Sequence, residues 1–194
     1  MNMRTLALSP EQYETIIQTI LTGSDGHRRN ERVATALMLE ANIGLRISDI
    51  VKLRLNQIVR DGTRYRLNGV VEQKTGKARD FTIPTEVYLF LREYCDKYKI
   101  APNQPMFPIT ERAVQKRLKA ACDALGIEGV STHSFRKFFA MGLYEATNCN
   151  IVLVQTALQH SSPNITRRYL GVQQKELEDA LAGNVNLIGF SKNK

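Results

Sequence analysis

Residues 64–83 read Arg64-Tyr-Arg-Leu-Asn-Gly-Val-Val-Glu-Gln-Lys-Thr-Gly-Lys-Ala-Arg-Asp-Phe-Thr-Ile83, and this stretch decides the fold class. β-branched and aromatic residues recur on both sides of Lys74-Thr-Gly-Lys77, which predicts two strands, 64–71 and 78–83, closed by a hairpin turn. Pro84 cannot donate to a ladder and ends the second strand. Outward in both directions the period becomes helical. Upstream, Ser9-Pro-Glu-Gln12 supplies an N-cap, a first-turn proline and a glutamine three residues on. The helix it starts turns Ile16, Ile17 and Ile20 inward and ends near Gly23; a second runs from about Arg29 to Asn42 and is broken by Gly44. Ser48-Asp49 can cap a short third helix through Leu53. Downstream, helices are expected over 86–98, 110–125, 132–146, 150–160, 163–170 and 173–182, with Pro102, Pro105 and Pro108 marking an extended loop. The expected fold is mainly α with a small antiparallel β-sheet inserted early.

With 194 residues, one domain is expected, and it can bury enough surface to need neither disulfide nor metal. The longest apolar run, Ile151–Val154, has four residues, far short of a membrane span. Met1-Asn-Met-Arg4 leads into no hydrophobic signal region. Cys95, Cys122 and Cys149 are widely spaced and odd in number, which fits reduced thiols in a cytoplasmic protein. A formal charge of +8 points to a polyanionic partner without separating DNA from RNA or a membrane surface.

The helix after Thr110 adds detail. Val114, Leu118, Ala121 and Leu125 make one apolar face, while Arg112, Lys116 and Lys119 share another. That second face is either solvated surface or a strip that lies on phosphates. A scattered set elsewhere could hold and attack a phosphodiester. Arg46 sits in Gly44-Leu-Arg-Ile-Ser-Asp49, just ahead of a helix N-terminus. His133 and Arg136 are three apart on one helix, His160 closes another, and Tyr169 follows nine residues later. Each has a plainer explanation: Arg46 pairing with Asp49, a surface His–Arg pair, a histidine on a helix dipole, an ordinary half-buried tyrosine. The spacing of His133, Cys149 and His160 matches no metal-ligand pattern, so neither metal nor other cofactor is expected.

Order and spacing together outweigh those separate explanations. Gly44-Leu-Arg-Ile-Ser-Asp49, Gln73-Lys-Thr-Gly-Lys77, His133-Ser-Phe-Arg136, Leu158-Gln-His-Ser-Ser162 and Thr166-Arg-Arg-Tyr169 resemble, in sequence, the motifs of the tyrosine recombinase (phage integrase) family. The resemblance is to its catalytic domain and runs from about residue 5 to 182. It implies a fold like that of type IB topoisomerase catalytic domains, with residues 183–194 as a tail that docks on a neighbouring protomer or folds back on its own core. Gln159 departs from the glycine usual before the histidine. Family members usually carry a separate core-binding domain ahead of this one. The chain is therefore either a single-domain recombinase, similar to the fimbrial-switch inverting enzymes, or part of a longer protein.

The resemblance implies Tyr169 as nucleophile, leaving a 3′-phosphotyrosyl link and a free 5′-hydroxyl, with neither ATP nor metal required. It implies Arg46 and Arg136 on the non-bridging oxygens and Lys74 as the acid for the departing oxygen, with Lys77 the competing candidate. His133 would accept the tyrosine proton, His160 would donate to the phosphate, and Asp49 would orient Arg46 and His133. Arg112, Lys116, Lys119, Lys77 and Arg79 are the expected double-stranded DNA contacts, and a tetramer on paired DNA sites the expected assembly. Integration, excision and inversion stay open, as do a topoisomerase-like relaxing activity and a non-catalytic DNA-binding module. A pure binder, however, has no need of Tyr169. A bacterial, phage or mobile-element protein working in the cytoplasm at the nucleoid is the setting implied.

Overall fold

A computed structural model describes residues 7–24, 26–171 and 181–182, and its elements are those of these residues. Helix α1 (Pro10–Thr22) begins as expected: Ser9 Oγ accepts from the Gln12 amide at 3.1 Å, and the Gln12 side chain accepts from the Ser9 amide. Helix α2 (Glu31–Ile43) is buried over most of its circumference, with Val33 to Leu37, Leu39 to Ala41 and Ile43 out of solvent, Met38 half-buried and Asn42 exposed. A helix apolar on nearly every side belongs in the middle of a fold. Accordingly α1 packs on one side of α2, and α6 (Thr132–Ala146) on another. Helix α5 (Glu111–Leu125) turns Val114, Leu118, Ala121 and Cys122 inward against α1 and α6.

Gly44 ends α2 in a left-handed conformation, φ 64°, which only glycine adopts cheaply. Space demands glycine as well: a Cβ there would lie 2.3 Å from the Phe139 ring of α6. The chain then turns sharply into α3 (Ile47–Ile50), whose N-cap is Arg46, not Ser48 as the sequence suggests.

The hairpin is real but more broken than its composition implies. Strands β3 (Ile58–Asp61), β4 (Arg64–Leu67) and β7 (Thr82–Ile83) form one antiparallel sheet in the order β3-β4-β7. Beyond it, β5 (Val70–Val71) and β6 (Ala78–Arg79) pair with Val70 opposite Arg79. The expected strand 64–71 is interrupted where Gly69 takes a positive φ, and 78–83 opens at Asp80-Phe81. The sequence reading does not anticipate strand β3; its signal is Gly62-Thr63, the two-residue turn between the paired Asp61 and Arg64. A two-stranded ribbon, β1 (Gly23–Ser24) with β2 (His27–Arg28), closes the end of α1.

Helix α4 (Thr85–Lys97) covers the sheet through the Tyr65–Tyr88 stack, with ring centroids 3.8 Å apart. Helices α7 (Ile151–Leu158) and α8 (Pro163–Leu170) build a satellite core with α6 around Ala140, Tyr144, Val154 and Leu158, against which Tyr169 rests. The expected last helix lies mostly, and the tail wholly, outside the described residues.

Candidate active site

The turn that ends α2 delivers Arg46 toward the hairpin. Its Nη1 pairs with Oε2 of Glu72, a carboxylate with no solvent exposure. So Arg46 does not pair with Asp49. Instead Asp49 is buried, and its Oδ1 accepts the backbone amide of Gln73 at 2.9 Å, fastening the hairpin to α3. That corrects the expected orienting role toward Arg46 and His133. Glu72 also accepts the Thr75 hydroxyl at 2.8 Å, and its other oxygen stands 3.7 Å from both Arg136 Nη1 and Arg79 Nε. Burial pushes the Glu72 carboxyl up, but the Thr75 and Arg46 hydrogen bonds reverse this and hold it below the ordinary range.

Helix α6 contributes Arg136, which is 2% exposed and donates from Nη2 to the Leu158 carbonyl at 2.9 Å. That bond satisfies a carbonyl at the end of α7 and locks the guanidinium's rotation. His133, one turn earlier, opens to the surface, and its backbone carbonyl lies 3.5 Å from the Tyr169 hydroxyl that donates to it. Partial desolvation, then the charges of Arg136, Lys74 and Arg46, lower the His133 pKa. A neutral imidazole able to take a proton is the result.

The link from α7 to α8 sets the remaining two. Gln159 adopts a left-handed conformation, φ 53°, where the family glycine would do so without strain. Its side-chain amide Nε2 donates to the Ala78 carbonyl at 2.7 Å, which ties this turn to β6. His160 follows with Nδ1 3.0 Å from Thr166 Oγ1, and its ring meets that of Tyr169 edge-on at 5.3 Å. Burial first, then Arg136 and Arg46, bring the His160 pKa down to about 4, so it is neutral at pH 7. Tyr169 is raised above its ordinary value, mainly by burial, with Arg136 pulling the other way and Glu40 adding to the rise. Glu40 itself, on α2, is 1% exposed, and burial strongly favours its neutral form.

Arg46, His133, Arg136, His160 and Tyr169 therefore converge, with Lys74 exposed in the β5–β6 turn near enough for its charge to reach His133. Lys77, also exposed, places Nζ 3.5 Å from the Gln159 carbonyl. Arg79 is the clear correction among the expected surface contacts. It is 1% exposed, opposite Val70 on the inner face of the ribbon, and burial lowers its pKa to about 10. Arg112, Lys116 and Lys119 are exposed on α5, where Lys116 and Lys119 line an open groove with Ser24, His27 and Asp123. Asp123 pairs with Lys119 at 2.7 Å, with both side chains exposed. Glu40 and Glu72 went unrecognised as site residues. Glu72 has a readable signal, since it follows Val70 at the strand period and so points inward.

The sequence profile of the phage integrase family matches residues 7–176. The chain belongs to this family. A relative, the probable integrase/recombinase YoeC of Bacillus subtilis (strain 168), is 31% identical over 153 residues, 75% of this chain and 81% of that one. Among solved structures, XerH site-specific recombinase bound to palindromic difH substrate superposes with a TM-score of 0.67 at 21% identity, over 93% of this chain and 54% of XerH. The lambda integrase dimer on a COC′ core site gives 0.66 at 18% identity, over 98% of this chain and 65% of that one. The catalytic domain of bacteriophage HP1 integrase gives 0.62 at 20% identity, over 92% and 95%. The integrase chain here thus spans about half of XerH and nearly all of the HP1 domain. Its fold is that of a tyrosine recombinase catalytic domain. Among the described residues no helix is long and apolar enough to cross a membrane.

Proposed function

We propose that this integrase-family chain is a site-specific DNA recombinase that cleaves and rejoins strands through a 3′-phosphotyrosyl intermediate. The observation that carries the reading is the placement of the Tyr169 hydroxyl beside Arg136, with Arg46 joined to the same buried carboxylate. Two guanidiniums are then available to the non-bridging oxygens of one phosphodiester, where charge builds as the phenol oxygen attacks. A phenol raised above its usual pKa needs a base, and neutral His133 is the acceptor. Neutral His160 donates to the phosphate. Lys74, on the hairpin turn, protonates the departing 5′-oxygen, with Lys77 three residues on as its competitor.

Double-stranded DNA is the partner, held outside the site by Arg112, Lys116, Lys119 and Lys77, and a net charge of +8 suits it. Strand exchange needs four active sites, so a tetramer on paired DNA sites is the working assembly. The setting is the bacterial cytoplasm, on the nucleoid or a mobile element.

The test uses a nicked suicide duplex that traps the covalent adduct on a denaturing gel. Wild type should form the adduct, while Tyr169→Phe, lacking only the hydroxyl, should form none and bind DNA within a few-fold of wild type. An adduct that persists in Tyr169→Phe means another residue attacks, and a wild type that binds without ever forming one makes the chain a DNA-binding module.

A further inference from the structure

Glu72 and Arg79 form a buried ion pair for which the mechanism above has no use. Their exposures are 0% and 1%, and both project from the hairpin that carries Lys74. Three guanidiniums, those of Arg46, Arg79 and Arg136, face this single carboxylate. Like charges so close repel one another strongly in a buried site, and without an anion between them their side chains would spread apart. Glu72 cannot leave, because its backbone is fixed inside the turn: its amide donates to the Lys77 carbonyl at 2.9 Å, and its carbonyl accepts the Gly76 amide at 2.9 Å. Arg79 is clamped behind it, with its guanidinium 5.0 Å from the centre of the Phe81 ring. Glu72 meets only one edge of the Arg46 fork, and Arg136 Nη1 has no hydrogen-bond partner among the described residues. Donors therefore remain for a second anion.

We propose that Glu72, backed by Arg79, is a positioning residue: it sets the spacing of Arg46 and Arg136 for the two non-bridging oxygens of a phosphodiester. Because it sits two residues before Lys74, it also ties that spacing to the seating of the acid's hairpin. This rests on the recombinase reading above. The carboxylate is a built part of the site, not a stand-in that the phosphate must displace.

The experiment compares wild type with Glu72→Gln, which keeps shape and removes charge, in single-turnover adduct formation. It uses two suicide duplexes, one ordinary and one with a methyl in place of one non-bridging oxygen at the cleaved phosphate, alongside gel-shift binding and thermal melting. On ordinary DNA the variant should react about 100-fold more slowly, the size expected when a reacting group is misplaced by an ångström, with binding little changed. On the methylphosphonate, where less charge awaits the arginines, most of that deficit should vanish, and Glu72→Asp should fall between Gln and wild type. A merely structural residue would slow both substrates alike, and that result overturns the proposal. So does a variant as fast as wild type, or faster. If Glu72→Gln does not fold, Thr75→Val at its exposed position removes the hydroxyl that donates to Glu72, and should give a smaller deficit with the same substrate dependence; no such dependence sinks the idea. Failure of wild type itself to form adduct would sink the recombinase reading and this one with it.

Discussion

Nδ1 of His160 stands 3.0 Å from Oγ1 of Thr166, a side chain with no solvent exposure. A neutral imidazole carries one N–H, so this contact decides which nitrogen has it. For His160 to donate to a phosphate from Nε2, Nδ1 must accept, and the Thr166 hydroxyl is the group that donates a hydrogen bond to it. Thr166→Val keeps the shape and removes that donor. Adduct formation should slow about tenfold, the worth of one lost hydrogen bond of ~1.4 kcal/mol. Thr166→Ser should stay near wild type. Equal rates for all three proteins would show that the tautomer is fixed some other way.

The same histidine makes the fold sensitive to acid. Its folded pKa of about 4 lies below the unfolded value near 6.5, so between those pH values the unfolded chain binds a proton there that the folded chain refuses. The stabilisation is complete above pH ~6.5 and is lost as pH falls toward 4. Urea midpoints measured at pH 7.5 and pH 5 should therefore differ more for wild type than for His160→Gln, which has nothing to titrate. Parallel falls in the two proteins would assign the acid sensitivity to carboxylates alone.

Gly44 tests the link between fold and site. Gly44→Ala must hold a Cβ at φ 64° and push aside the Phe139 ring, 2.3 Å from the new carbon. Backbone strain of about 1–3 kcal/mol adds to overpacking of similar size, for a loss of ~3 kcal/mol or more. In a chain of this length that lowers the melting temperature by roughly 6–12 °C. A melting temperature within a degree of wild type would mean that α2 and α6 part easily, which their shared burial argues against.

Much of this is legible in the sequence. The helices from α4 to α8 announce themselves by period and caps, and Arg46, His133, Arg136, His160 and Tyr169 come from four separated segments to one place, with Lys74 exposed on the neighbouring turn. Arg79 and Asp49 mislead a linear reading for one reason: a buried charge looks like a surface charge until its partner is known. From sequence alone Arg79 reads as a DNA-facing surface residue, since arginines are seldom buried unpaired. Its partner, Glu72, lies across the hairpin turn, and only the Val70–Arg79 register puts the two on one face. Asp49 is hidden in the same way, since the group it accepts from is a backbone amide 24 residues away. The broken strands escaped notice because Asn68-Gly69 sits inside a stretch whose composition is otherwise continuous strand.

The assignment of Lys74 as the general acid comes from the family resemblance, and experiment can separate it from that of Lys77. Lys74 follows Gln73, whose amide is held by Asp49, and it stands exposed in the turn; Lys77 Nζ instead approaches the Gln159 carbonyl at 3.5 Å. An alkoxide leaves poorly unless it is protonated as the bond breaks, whereas a thiolate leaves unaided because a thiol's pKa is only about 8.5. Lys74→Ala should therefore cleave ordinary DNA more slowly by a factor of about 10²–10⁴. It should recover most of its rate on a duplex whose bridging 5′-oxygen is replaced by sulfur. Arg46→Ala, which loses a contact to the non-bridging oxygens, should gain nothing from the sulfur. If Lys77→Ala is rescued and Lys74→Ala is not, the acid is the lysine beside Gln159. If neither is rescued, the proton comes from outside the hairpin, and Lys74 serves only as a phosphate contact.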